Sequence, residues 1–82
     1  MTRERLEAEA KIDAIRAGVK AELLRATVKH GPMRTPHEAF GVIYEEFNIE
    51  FAEAMKANDR AAQKLEMEQV AAMARRFLFD LC

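Results

Sequence analysis

Glu46, Glu50 and Glu53 recur at spacings of four and three, which on a helix sets them in one row. Glu66 is notable for the opposite reason. At about 100° per residue it falls between Met73 and Phe77, inside an apolar stripe rather than across from it. Gln69 lies one turn further along the same side, where it could share a ligand or hydrogen-bond the carboxylate. Packing the two helices would bring Glu50 or Glu46 towards Glu66. Ionised carboxylates gathered in a partly buried place repel unless a cation or shared protons intervene. Mg²⁺ suits such a place, because it takes oxygen ligands, accepts a few carboxylates and fills its remaining positions with water and substrate phosphates. The same residues also admit a plainer arrangement, with the glutamate row solvated and Glu66 paired with Lys29, Arg75 or Arg76.

The elements that must position these groups are helical. Over residues 2–29, Ala8, Ile12, Ile15, Val19, Leu23 and Ala26 trace one face of a long amphipathic helix. Leu24 and Val28 widen that face near its end, so this end is expected to pack inside the bundle, while the charged first ten residues fray or reach a partner. Gly18 is either a soft point or a place of close packing. His30-Gly31-Pro32 should stop the helix. A second helix is expected over residues 36–56, opened by Thr35-Pro36-His37-Glu38, a capping box with proline at the first helical position. It carries Phe40, Tyr44, Phe47 and Phe51 as an aromatic seam. Asn58 or Asp59 then caps a third helix over residues 60–81, whose apolar face is Met67, Val70, Ala74, Phe77 and Leu81, widened by Ala71, Met73 and Leu78. The fold class read from this pattern is all-α, an antiparallel bundle of three helices forming a single domain over residues 1–82.

Lys29 and Arg34, with His30 and His37, surround the start of the second helix, where free amides and the helix dipole favour an anion such as phosphate. Lysine and histidine there equally complement the end of the first helix. The first helix should reach about 40 Å against about 30 Å for the others. That overhang, with the broad apolar surface, points to a homodimer that completes the core. The methionines and Phe40, Phe47, Phe51, Phe77 and Phe79 are read as packing residues.

The 82 residues are 50% hydrophobic and 33% charged with a net charge of −1, which argues against general nucleic-acid binding. Cys82 is the lone cysteine, so no intramolecular disulfide forms. The first residues, MTRERLEAEA, lack a signal-peptide core, and no apolar run is long enough for a membrane span; a cytoplasmic location is expected. The chain has no serine, and its two histidines lie across a Gly-Pro turn, so neither a nucleophilic triad nor a zinc site is expected.

The segments KHGPMRTPHEAFGVIYEE at residues 29–46 and EMEQVAAMARRFLFDL at residues 66–81 resemble the MazG-like all-α nucleoside triphosphate pyrophosphohydrolases, particularly the short phage and prophage versions. The resemblance runs over residues 14–81. It implies a dimeric or tetrameric helical enzyme that holds Mg²⁺ on acidic residues of two neighbouring helices and hydrolyses a nucleoside triphosphate to the monophosphate and pyrophosphate. The family's Glu-Glu-x-x-Glu motif maps onto Glu45 and Glu46, but its third acid falls on Ile49; its Glu-x-x-Asp motif maps onto Glu66 and Gln69. Glu50, one turn beyond Glu46, would replace the third acid after a small rotation. The resemblance thus implies Glu45 and Glu46 as catalytic, Glu46, Glu50, Glu66 and Gln69 around the metal, and Lys29, Arg34 and Arg76 near substrate phosphates. The competing reading is a catalytically inactive helical module that binds a protein or a nucleotide, in a phage regulatory or counter-defence role.

Overall fold

The computed structural model describes residues 2–82 and contains helices only among them. Helix α1 spans Arg3–His30. Thr2 caps it, its hydroxyl accepting a hydrogen bond from the Arg5 amide at 3.2 Å. Gly31 ends it in the left-handed region, φ 69°, donating its N–H to the Thr27 carbonyl at 3.2 Å. The middle rod begins with α2, Pro36–Tyr44, widens into a π-helical segment over Glu45–Phe51, and closes with α3, Ala52–Lys56. Helix α4, Arg60–Leu81, completes the three-helix fold. Asp59 is its cap, accepting from the Ala62 amide at 3.0 Å, while Asn58 takes the positive φ of 53° that the turn requires.

The start of α2 departs slightly from a standard capping box. Thr35 Oγ1 accepts from the Glu38 amide at 3.1 Å as expected, but Glu38 Oε2 accepts from the Arg34 amide at 3.2 Å rather than from that of Thr35. The carboxylate therefore reaches one residue further back and pins the loop before the helix.

The core is small: Val19, Ala26, Met33, Ala39, Ala72 and Met73, bordered by Leu23, Val42, Ile43, Ala71, Phe77 and Leu81. Among the described residues no large side chain is wholly enclosed. On α4 the buried line runs through Ala72, Met73 and Arg76, so the helix is turned relative to the face expected from its apolar residues, and Ala74 and Leu78 point outward. Leu24 and Val28 are likewise exposed, correcting the expectation that they pack inside the bundle. Phe40 and Phe79, expected to be packing residues, are 71% and 77% exposed. Phe40 stacks on Tyr44 at 6.2 Å and Phe47 on Phe51 at 5.8 Å, so the aromatic seam exists as paired rings along an outer face. The physical reason is the thinness of the molecule, whose extents are 44 × 33 × 18 Å. Each rod has too few neighbours to cover all of its apolar surface. Gly18 proves to be a place of close packing, since a Cβ there would run into the Glu68 carboxylate.

The loop over residues 31–35 is tied to the end of α4. Asp80 Oδ2 accepts from the Met33 amide at 2.7 Å, and Arg76 Nη2 donates to the Gly31 carbonyl. The Arg76 and Asp80 side chains are only 6% and 4% exposed, with Nε to Oδ2 at 3.4 Å. This Nε contact is an ion pair without hydrogen-bond geometry. The strap fixes the entry angle of α2 and hence the depth at which the π-helical segment meets α4.

Candidate metal and substrate site

Glu46 and Glu50 come from the π-helical segment and Glu66 from α4, and one carboxylate oxygen from each lies within 4.8 Å of the others. The π-helical geometry explains why Glu50 is in this group. In an α-helix both i+3 and i+4 flank residue i on the next turn; in a ladder of i→i+5 hydrogen bonds the flanking positions become i+4 and i+5. Relative to Glu46, Glu50 is i+4 and Ile49 is i+3. The wider turn therefore keeps Glu50 beside Glu46 and swings Ile49 away, where it is 48% exposed.

All three carboxylates are half-buried, and the electrostatics register their crowding. Glu46 is pushed up to about 8, first by loss of water around it, then by the hydrogen bond and negative charge of Glu50, and then by Glu66. Glu66 is also raised, by burial first and the charge of Glu50 second. A proton shared within the group is thus favoured at neutral pH.

The Gln69 amide lies against the same group. With its nitrogen turned towards them it donates to Glu66 Oε2 and Glu46 Oε2 at 2.9 Å each, the orientation that satisfies both contacts. Gln69 bridges two carboxylates as a donor, a role the sequence admitted when it placed the side chain one turn beyond Glu66.

A cavity of about 350 Å³ opens beside the cluster, at the small end of ligand sites, which run to roughly 300–1,000 Å³. Ala26, Val42, Met33 and Met73 give it an apolar floor, Glu22, Glu38, Glu45 and Glu46 are its acidic lining, and Gln69 adds a neutral amide. Its cationic side is Arg25, His30 and Arg76. Glu45 is exposed and reaches the cavity without joining the three-carboxylate group. Arg76 lines the wall, but its charge is engaged by Asp80 and the Gly31 carbonyl. Lys29 and Arg34 are exposed and are not among the lining residues.

Sequence reasoning passed over Glu22 and Arg25. They form an ion pair at 2.8 Å on α1, and both line the cavity. At i and i+3 they look like any solvated pair on a helix surface, and only the packing of α1 over α4 reveals that Glu22 is 18% exposed. The hydrogen bond and charge of Glu22 raise the Arg25 guanidinium above its ordinary value, with Glu46 contributing least. Asp80 was also passed over, its signal being the i, i+4 spacing from Arg76.

Compared with protein-family models, curated proteins and solved structures, the chain matches none. The functional reading therefore rests on the site itself and on the motif resemblance.

Whether the residues fit a hard divalent cation can be judged from their chemistry. Three half-buried carboxylates with converging oxygens, two of them held above their normal proton affinity, make an oxygen-only donor set with excess negative charge. Such a set fits a cation of the Mg²⁺ or Ca²⁺ type and, lacking histidine or cysteine, does not favour zinc.

Proposed function

We propose that this chain is a Mg²⁺-dependent nucleoside triphosphate pyrophosphohydrolase of MazG-like type, converting an NTP or dNTP to the monophosphate and pyrophosphate. The observation that carries the reading is the convergence of Glu46, Glu50 and Glu66 beside a cavity with an apolar floor and a cationic side. In this reading Glu46, Glu50 and Glu66 hold the metal, and Gln69 fixes the angle between two of them. Held by these three carboxylates, Mg²⁺ would supply Lewis-acid charge to the substrate phosphates and make a bound water more acidic. Glu45, exposed at the cavity edge, accepts a hydrogen bond from the attacking water and orients it. The apolar floor excludes water from the base or sugar, and the strap from Arg76 and Asp80 keeps that floor in place.

The same proposal takes the rods as an antiparallel bundle covered by a second copy. Its support is physical: a radius of gyration of 14.6 Å, against about 12 Å for a compact chain of this length, and exposed Phe40, Phe79, Leu24 and Val28. No helix among the described residues is long and apolar enough to cross a membrane, so a lipid bilayer does not account for that surface through a spanning helix.

Purified protein with Mg²⁺ is expected to release monophosphate and pyrophosphate from at least one common nucleotide, resolved by anion-exchange chromatography, and Glu66→Ala to abolish the release. Failure of all common nucleotides, together with no heat of Mg²⁺ binding, overturns the enzymatic reading. The second reading, a non-catalytic module that binds a protein or nucleotide, is favoured by one observation. Gln69 already satisfies Glu46 and Glu66 by hydrogen bonds, so the cluster has a stable arrangement without a cation. Under that reading nucleotide or protein binding persists with neither hydrolysis nor Mg²⁺ binding.

A further inference from the structure

The cavity contains a cation for which the bundle has little structural use. Arg76 is buried and spends its donors on Gly31 and its charge on Asp80. Arg25 is different: a permanently charged, planar guanidinium on α1, 51% exposed, that lines the cavity and feels the charge of Glu46. Among the described residues its one hydrogen bond runs from Nη2 to Glu22 Oε2 at 2.8 Å. One edge of the fork is thus held while the remaining N–H groups face solvent and the cavity.

We propose that Arg25 binds the polyphosphate of the substrate and that Glu22 is its positioning residue. This deepens the reading of the site as a Mg²⁺-dependent nucleotide hydrolase and rests on it for the nature of the ligand. A polyphosphate chain anchored at the acidic cluster through a divalent cation would present anionic oxygens to the cavity lining, of which Arg25 is part. Arg25 offers them parallel donors, a geometry that lysine cannot reproduce. Glu22 holds the guanidinium on the cavity side of α1, and its half-exposed ion pair adds little to stability, so sharing the arginine with a phosphate costs the fold little. Lys29, one turn further along, is one of the three residues, with Arg34 and Arg76, expected from the sequence to lie near phosphates. It stands outside the cavity lining, whereas Arg25 is part of it. The two positions share a helical face and differ by about 6 Å along the axis, which carries Lys29 past the end of the cavity.

The test is calorimetric titration of the full chain with inorganic tripolyphosphate in saturating Mg²⁺, and separately with Mg²⁺ alone. Arg25→Gln is expected to weaken tripolyphosphate binding at least tenfold, Arg25→Lys to restore part of it, and Lys29→Gln to change it less than twofold. Glu22→Gln should weaken it by a smaller factor than Arg25→Gln. Mg²⁺ alone should bind Arg25→Gln as well as, or slightly better than, the parent, because a positive charge near Glu46 has gone. Unchanged tripolyphosphate affinity in Arg25→Gln, an equal loss in Lys29→Gln, or no tripolyphosphate binding by the parent each overturns the assignment. Nucleotide hydrolysis is scored independently. A parent that binds tripolyphosphate through Arg25 yet hydrolyses no nucleotide retains this assignment and loses the enzymatic one. A parent that hydrolyses nucleotides, with KM unchanged in Arg25→Gln, does the reverse.

Discussion

Two clusters of charge in this molecule are built on α4, and they are treated in opposite ways. At its C-terminal end, Arg76 and Asp80 are almost wholly enclosed, yet each has its opposite: the cation meets an anion and a carbonyl, the anion meets a cation and the Met33 amide. Further towards the start of α4, Glu66 is less enclosed but faces only more negative charge, from Glu46 and Glu50. The first arrangement is electrostatically complete and has a structural consequence, the fixing of the loop over residues 31–35. The second is incomplete. It is moderated by Gln69 and by proton uptake, neither of which removes the reason for the cluster to attract a cation. A buried charge that is neutralised from within describes a fold, and one that is not describes a site.

The comparison can be broken most severely at the strap. Arg76→Ala leaves Asp80 enclosed without its counter-charge and frees the Gly31 carbonyl, a loss of about 3–5 kcal/mol for breaking a buried pair from one side. Against a typical total of about 5–15 kcal/mol for a domain, most of the folded population is at risk. Thermal melting followed by circular dichroism should show a much lowered midpoint or no cooperative transition. If Arg76→Ala instead melts like the parent, the strap has no structural weight and the contrast drawn above is wrong.

The acidic cluster should respond to substitution and pH in the opposite sense. Glu46 takes up protons around pH 8 in the folded chain, against an ordinary value of 4.5 when unfolded. Between those values the folded state holds a proton that the unfolded state has lost. Stability contributed by Glu46 is therefore greatest at low pH, falls as pH rises from about 4.5 towards 8, and levels off above. Metal-free protein should melt several degrees lower at pH 8.5 than at pH 5.5. Glu46→Gln should flatten that slope, and saturating Mg²⁺ should reverse it, because the cation binds the deprotonated group. Binding at pH 7 should also release protons, measured by calorimetry in buffers of different ionisation enthalpy. A parent and a Glu46→Gln variant with identical slopes of melting temperature against pH would refute this account of Glu46.

How much of this was legible in the chain depends on which physical signal each part carries. Caps and stops are local, so Gly31, Thr35 and the Asn58-Asp59 pair mark helix ends in the sequence as they do in the structure, whereas the Thr2 cap was not read. Glu66 was legible because a carboxylate inside an apolar stripe breaks a period. Glu50 was legible as a neighbour of Glu46 and as the replacement for the acid missing at Ile49, but the widened turn that seats it was not, since no residue pattern announces a switch from i→i+4 to i→i+5 hydrogen bonds. Arg25 was hidden for a different reason. A surface pair and a cavity-lining pair have the same spacing along α1, and what separates them is the placement of α2 and α4. The exposed Phe40 and Phe79 follow the same logic, because periodicity reveals that a residue is apolar and not what covers it.

The π-helical segment sharpens the comparison at the level of a single ligand. Glu50→Ala removes a carboxylate from the group and should weaken Mg²⁺ binding about tenfold or more, the scale expected for loss of a directly bound oxygen, about 1.4 kcal/mol per factor of ten. Ile49→Glu places a carboxylate where the motif resemblance expects one, but on the side turned outward by the wider helix. It should change Mg²⁺ affinity less than twofold. If Ile49→Glu instead strengthens binding tenfold, the segment relaxes to an ordinary α-helix in solution and Glu50 is not the natural third acid.

The smallest effect serves as the control that separates folding from site. Thr35 caps α2 through the Glu38 amide at 3.1 Å, at the end of the rod remote from Glu50 in sequence. Thr35→Ala leaves that amide without its partner and should cost about 1 kcal/mol. In a domain of this size such a loss lowers the melting midpoint by roughly 4–8 °C. Mg²⁺ affinity should stay within twofold of the parent, because the carboxylates are positioned by the contact of the π-helical segment with α4 and by the strap, and the cap contributes to the population of folded chains. A large loss of Mg²⁺ binding in Thr35→Ala at a temperature where the chain is still folded would mean that the start of α2 governs the geometry of Glu46 directly. The distinction between a structural end and a functional centre would then have to be moved further along the rod.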